Sequence, residues 1–134
     1  MRIRGGRFLL NNLCIICLDP ATARRKPPWP HATTLFPFWT TSSRSDISDK
    51  SINGLQVQGT DRITRIGLAT DAALATYRKA VDAGCQMLVV HHGLIWDGIR
   101  SVTGRNFDHL KFLIGNGLNL YAAHLPLDLH AEVG

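Results

Sequence analysis

The run QMLVVH at residues 86–91 is apolar almost throughout and too short for an ordinary helix, so it reads as a strand. A strand with no polar face is buried on both sides, which is the habit of parallel sheets covered by other elements. Its surroundings keep that rhythm. ITRIGLAT at 63–70 is a β-branched and aliphatic strand, and DAALATYRKAVDAGC at 71–85 is a helix. Thr70 or Asp71 is its expected N-cap, Leu74, Tyr77, Ala80 and Val81 form its inner face, and Gly84 lies near its stop. FDHLKFLIGNG at 107–117 is a second helix, ended by Gly117, and LNLYAAH at 118–124 is a third strand. Strand, helix, strand, loop, helix, strand predicts an α/β fold, a mostly parallel sheet flanked by helices and joined by right-handed crossovers. Ahead of it, NGLQVQG at 53–59 opens on an Asn-Gly turn signal and alternates, the mark of a hairpin or edge strand. Its position lets Asn53 approach the same sheet edge.

A chain of 134 residues is one domain's worth. It divides into two unlike parts near Asp46. Residues 1–45 hold seven Lys/Arg and one acid, a local net of +6, while residues 46–134 hold eight basic and nine acidic residues, a net of −1. The basic balance therefore belongs to the first segment, and without interleaved aromatics or a recognition motif it does not predict nucleic-acid binding. That segment also carries five of the six prolines and a Ser/Thr cluster, which predicts a disordered leader.

Cys14, Cys17 and Cys85 are too few for a disulfide framework and suit a reducing, cytoplasmic setting. The C-x-x-C of Cys14 and Cys17 has no second pair or Cys/His partner to complete a structural zinc site, and Cys85 reads as a small buried hydrophobe. No apolar run approaches the roughly 20 residues of a membrane span. The arginine-rich start leaves an organellar transit peptide as the alternative location.

The chemistry gathers after the strands. Asp71 follows the first, His91 and His92 the second, His124 and then Asp128 the third. Ligands of open parallel sheets bind at the carboxyl ends of strands, so all these groups fall at one edge. Successive side chains of a regular strand diverge, so His91 and His92 can serve one site only if the strand stops there, and Gly93 is expected to allow the turn. Imidazole suits zinc, iron and similar divalent ions, and Asp128 is the natural carboxylate to bridge two of them. His124, with Pro126 expected to hold its loop away from helix, either ligates or orients a ligand. The bland readings are that Asp71 caps its helix, that Trp96 packs, and that His109, among charged neighbours on a helix, is solvated.

ISDKSINGLQVQG, GCQMLVVHHGLIWDG and LNLYAAHLPLDLH resemble the N-terminal signature blocks of the NGG-interacting-factor-three-like family, whose bacterial members are often labelled type 2 GTP cyclohydrolase I homologues. The resemblance covers about residues 46–134. It implies a two-metal site in a ring-shaped hexamer, with His91, His92 and Asp128 matching metal ligands and His124 a neighbouring histidine of the site. The family's site is completed by a histidine and a glutamate four residues apart near the C-terminus of a chain about twice as long. Glu132 does not match that glutamate, and residues 1–45 match nothing in the family.

The chain thus reads as the N-terminal portion of a dinuclear metal-dependent hydrolase with two divalent ions (zinc, iron or manganese), the second loosely held. The alternatives are a non-catalytic metal-binding adaptor and an inactive fragment. Nothing in the sequence specifies guanine, and no phosphate-cradling P-loop is present.

Overall fold

The computed structural model describes residues 8–10, 13–17, 48–98 and 101–129. Within residues 48–129, four strands form a sheet flanked by helices. They are β3 (Gly54–Val57), β4 (Arg65–Asp71), β5 (Met87–His92) and β6 (Asn119–Ala122). β4, β5 and β6 are parallel neighbours, in the register Leu68↔Val89 and Val89↔Tyr121. β3 closes one edge antiparallel to β6, the edge-strand reading of residues 53–59. On the other edge, two short strands of the first segment, β1 (Phe8–Leu10) and β2 (Leu13–Cys17), pair with each other, and β2 runs antiparallel to β4. The sequence places no element in residues 1–45; apart from these two strands, that segment lies outside the described residues. The sheet order is therefore β1-β2-β4-β5-β6-β3, parallel in its centre and antiparallel at its edges.

Each parallel crossover carries a helix, α1 (Leu74–Asp82) between β4 and β5 and α2 (Gly104–Gly115) between β5 and β6. Pleating splits the central strands between two clusters. Leu88, Val90, Leu120 and Ala122 join Tyr77 and Ala80 of α1 and Leu113 of α2, while Met87, Val89, Tyr121 and Ala123 pack with Ile63 and Ile66 on the opposite face. The continuous apolar run at 87–90 is buried residue by residue, as a strand with two covered faces must be.

Four expectations are corrected. α1 starts at Leu74 with Ala73 as N-cap and no side-chain cap, because Asp71 is still in β4 and its carboxylate is used elsewhere. His109 is not solvated; it is 3% exposed, with its ring edge-on to Tyr77 at 5.4 Å and Nδ1 3.3 Å from the Tyr77 hydroxyl. Pro126 does not keep its loop from helix, since Leu125–Asp128 forms one short turn, α3, with proline in the first turn, where its missing N–H costs nothing. Gly93 is needed for space rather than for a left-handed turn. It is absent from the positive-φ glycines, whereas a Cβ there would lie 2.4 Å from Gln56 Nε2 and 2.8 Å from the Ala122 Cβ.

Candidate metal centre

β5 runs through both adjacent histidines. Its pairing with β6 ends at Val90↔Ala122, while on the other side Asp71 still pairs with His92. Beyond the last β6 partner the centroids of the two rings come within 4.6 Å of each other. His124, just past β6 and before α3, brings a third ring 4.9 Å from His91 and 5.8 Å from His92. One ring nitrogen from each of the three lies within 4.8 Å of the others, so the group is placed to hold a metal ion.

The hydrogen bonds of the other nitrogens give this cluster its chemistry. His91 Nδ1 lies 3.1 Å from the Ala123 carbonyl, which can only accept, so Nδ1 carries the hydrogen. His92 Nδ1 lies 2.7 Å from Asp71 Oδ1, and His124 Nδ1 2.9 Å from Asp49 Oδ1. Every Nδ1 is thus held by an acceptor, which leaves Nε2 as the nitrogen each ring can turn to a metal. Three imidazoles fit a borderline divalent ion.

Asp49 is the residue that sequence reasoning missed. Its side chain is 12% exposed and accepts from Ser51 N, Asn53 Nδ2, His124 Nδ1 and Leu125 N. Burial pushes its carboxyl up, but those hydrogen bonds outweigh burial and hold it below the usual 3.8, so it stays ionised at neutral pH. The turn bond from Ser51 N is a local Asp signature, but nothing near it points to a histidine 75 residues away. Asn53 does reach the edge, its Oδ1 accepting from His124 N at 2.7 Å.

Asp128, expected to bridge, stands at the rim. Its Oδ2 is 3.6 Å from His91 Nε2, and its side chain is half-exposed. Gln56 pins the loop after the histidines, accepting from Leu94 N and Ile95 N and donating to Ile52 O and Ile95 O. That loop carries Trp96, whose Nε1 donates to Gly93 O and whose ring sits edge-on to His124 at 5.0 Å. Trp96 therefore packs, as expected, and packs on the cluster itself.

Fold and site together define an α/β protein with a candidate histidine metal centre at the carboxyl end of a parallel sheet. The family model Duf34/NIF3 (NGG1p interacting factor 3) matches residues 40–134, and the chain belongs to that family. It is 54% identical over 90 residues to a Pyrococcus horikoshii protein named GTP cyclohydrolase 1 type 2 homolog, a match covering 67% of this chain and 36% of the relative. A protein of the same name from Deinococcus radiodurans is 49% identical over 86 residues, covering 64% and 33%. The fold is similar to the crystal structure of a Thermus thermophilus protein, with TM-score 0.62 and 47% identity over 65% of this chain and 36% of that one. It is also similar to reduced HcgD from Methanocaldococcus jannaschii, with TM-score 0.59 and 33% identity over 73% and 41%. The chain spans about a third of the length of the curated relatives it matches. Among the described residues no helix is long and apolar enough to cross a membrane.

Proposed function

We propose that this chain holds two divalent ions, zinc, iron or manganese, at the carboxyl edge of its sheet and serves a metal-dependent hydrolase. The observation that carries the reading is the uniform anchoring of His91, His92 and His124 through Nδ1. Random surface histidines have no reason to share one tautomer and converge.

The three ring nitrogens lie within 4.8 Å of one another, close enough for them to hold a metal ion, and the second ion is what the family resemblance adds. The 3.6 Å between His91 Nε2 and Asp128 Oδ2 is close to the separation of neighbouring ligands on one ion, so His91, His92 and Asp128 are the proposed ligands, with His124 completing or orienting the set. Bound there, the metal supplies Lewis acidity and lowers the pKa of an attacking water. The chain's own part is to fix the imidazoles through Asp49, Asp71 and the Ala123 carbonyl, and to shield one side of the site with Trp96.

A cytoplasmic location and a ring-shaped homo-hexamer complete the proposal, the first suited by the sparse cysteines and the second by the family resemblance. Metal-loaded protein should hydrolyse an ester or nucleotide substrate, and a His91→Ala/His92→Ala variant should lose both metal and turnover. Bound metal with no turnover across such a panel would turn the reading to a metal-binding adaptor.

A further inference from the structure

The loop after the paired histidines is built as a strap. Residues 94–97 lie against residues 50–52 as a two-stranded ladder, with Ile52 N donating to Ile95 O at 3.2 Å and Asp97 N to Lys50 O at 2.8 Å. Gly93, at one end, is buried with no room for a Cβ between Gln56 and Ala122. At the other end Asp97 and Gly98 have φ of 53° and 103°, and a Cβ at Gly98 would meet nothing within 4 Å. Glycine stands there for its backbone freedom, the property of a hinge. Between the two ends no residue is buried, so the strap rests on hydrogen bonds rather than on core contacts. Segments held in that way open locally at well below the free energy of global unfolding.

The closed strap also hides a hydroxyl at a cost. Its two ladder bonds bracket the pair Ser51↔Trp96, which makes this the closely spaced kind of antiparallel pair, with both side chains on one side of the ladder and Cβ atoms about 4.5–5.5 Å apart. Ser51 is 5% exposed, and its Oγ has no hydrogen-bond partner among the described residues. A hydroxyl taken out of water without a partner is unfavourable, and opening the strap relieves it. Trp96, on the same side of the ladder, sets its ring edge-on to His124 at 5.0 Å, and the His124 side chain is 19% exposed. The residue opposite the unpaired hydroxyl is therefore the one that leans on the histidine cluster.

We propose that the strap is a gate, which opens about Asp97 and Gly98, lifts Trp96 from His124 and gives access to the metal centre from that side. Opening breaks the two ladder bonds and the bond from Trp96 Nε1 to Gly93 O, each worth little net once water replaces the lost partner. The exposed pair of Lys50 and Asp97, 3.9 Å apart, adds little to the latch. Gln56 keeps its hold on the Leu94 and Ile95 amides, so the open strap stays tethered and closes again. That the molecule passing the gate is a substrate rests on the hydrolase reading above. The opening itself stands without it.

The test uses the full chain freed of metal, read by amide hydrogen exchange and by diethyl pyrocarbonate labelling of single histidines, located by peptide mass spectrometry. The Ile52 and Asp97 amides should exchange together, at least about tenfold faster than those of Leu94, Ile95 and the central strand β5. Ser51→Ala removes the unpaired hydroxyl and breaks no hydrogen bond, so it favours the closed strap. It should slow exchange at Ile52 and Asp97, and labelling of His124, by at least about fivefold, while His92, 47% exposed, is labelled at the parent's rate. Trp96→Ala should speed the labelling of His124 severalfold. His91→Ala/His92→Ala should lose metal and keep the fast exchange, so the gate and the metal reading are scored separately. Ile52 and Asp97 amides that exchange no faster than β5 overturn the proposal, because the strap then opens only with the whole fold. So does a Ser51→Ala chain that exchanges no more slowly than the parent, or His124 labelling indifferent to both Ser51→Ala and Trp96→Ala.

Discussion

Replacing Gly93 with alanine places a methyl carbon 2.4 Å from Gln56 Nε2, 2.7 Å from its Oε1 and 2.8 Å from the Ala122 Cβ. Ordinary contact needs about 3.5 Å or more, so something must move by about 1 Å. Gln56 is a long side chain, but it is not free to move. It makes hydrogen bonds of 2.7 and 3.0 Å to the Leu94 and Ile95 amides, and of 2.7 and 3.1 Å to the Ile52 and Ile95 carbonyls. A shift of that size stretches most of these beyond bonding distance. At about 1 kcal/mol net for each bond, and with overpacking against Ala122 as the alternative, the expected loss is about 2–4 kcal/mol. For a domain of this size each kcal/mol lowers Tm by roughly 3–4 °C, so Gly93→Ala should melt about 6–16 °C below the parent. Thermal unfolding followed by circular dichroism reads this directly. A double-mutant cycle with Gln56→Ala should show a coupling of at least about 1 kcal/mol, because the clash and the clamp involve the same side chain. A Gly93→Ala protein melting within about 2 °C of the parent would refute the account of why the strand ends where it does.

Asp49→Asn should weaken zinc binding about 10–100-fold by loosening the anchor on His124 Nδ1, as measured by isothermal titration with zinc chloride. Asn119 is fully buried, accepting from Gly59 N and donating to the Thr60 and Gln86 carbonyls, so Asn119→Leu should cost on the order of 3 kcal/mol in denaturant unfolding. Burial, aided by the Arg105 charge and opposed by Asp108, holds His109 below its ordinary 6.5 in the folded chain. The unfolded chain therefore takes up this proton first as pH falls through 6.5, and the folded chain loses stability between that pH and the lower folded value. His109→Gln should remove that part of the pH dependence, seen as melting temperatures at pH 5 and 7.5 that differ less than those of the parent.

The βαβ order and the meeting of His91, His92 and His124 were legible because each depends on local pattern. Apolar runs mark the buried strands, and in a parallel sheet whatever follows a strand lies at the same edge. What was not legible depends on distance or on a competing local preference. Asp71 sits where a helix cap belongs, yet the sheet carries it one register beyond and turns it to His92. His109 lies between charged neighbours, and its place on the inner face beside Leu113 shows only once α2 packs on Tyr77. Asp49 and Gln56 hold the site from β3 and the turn before it, through contacts across 75 and 39 residues that no spacing rule encodes. Gly93 was correctly placed at the end of the strand for the wrong physical reason.

The most direct measurement is the metal content of the purified chain by elemental mass spectrometry after reconstitution with zinc, iron or manganese. Alongside it, the His91→Ala/His92→Ala variant is checked for folding by circular dichroism. The account predicts a folded parent carrying at least one divalent ion per chain and a folded variant carrying none. A folded parent that stays empty with all three metals, or a variant that keeps its metal, would contradict it.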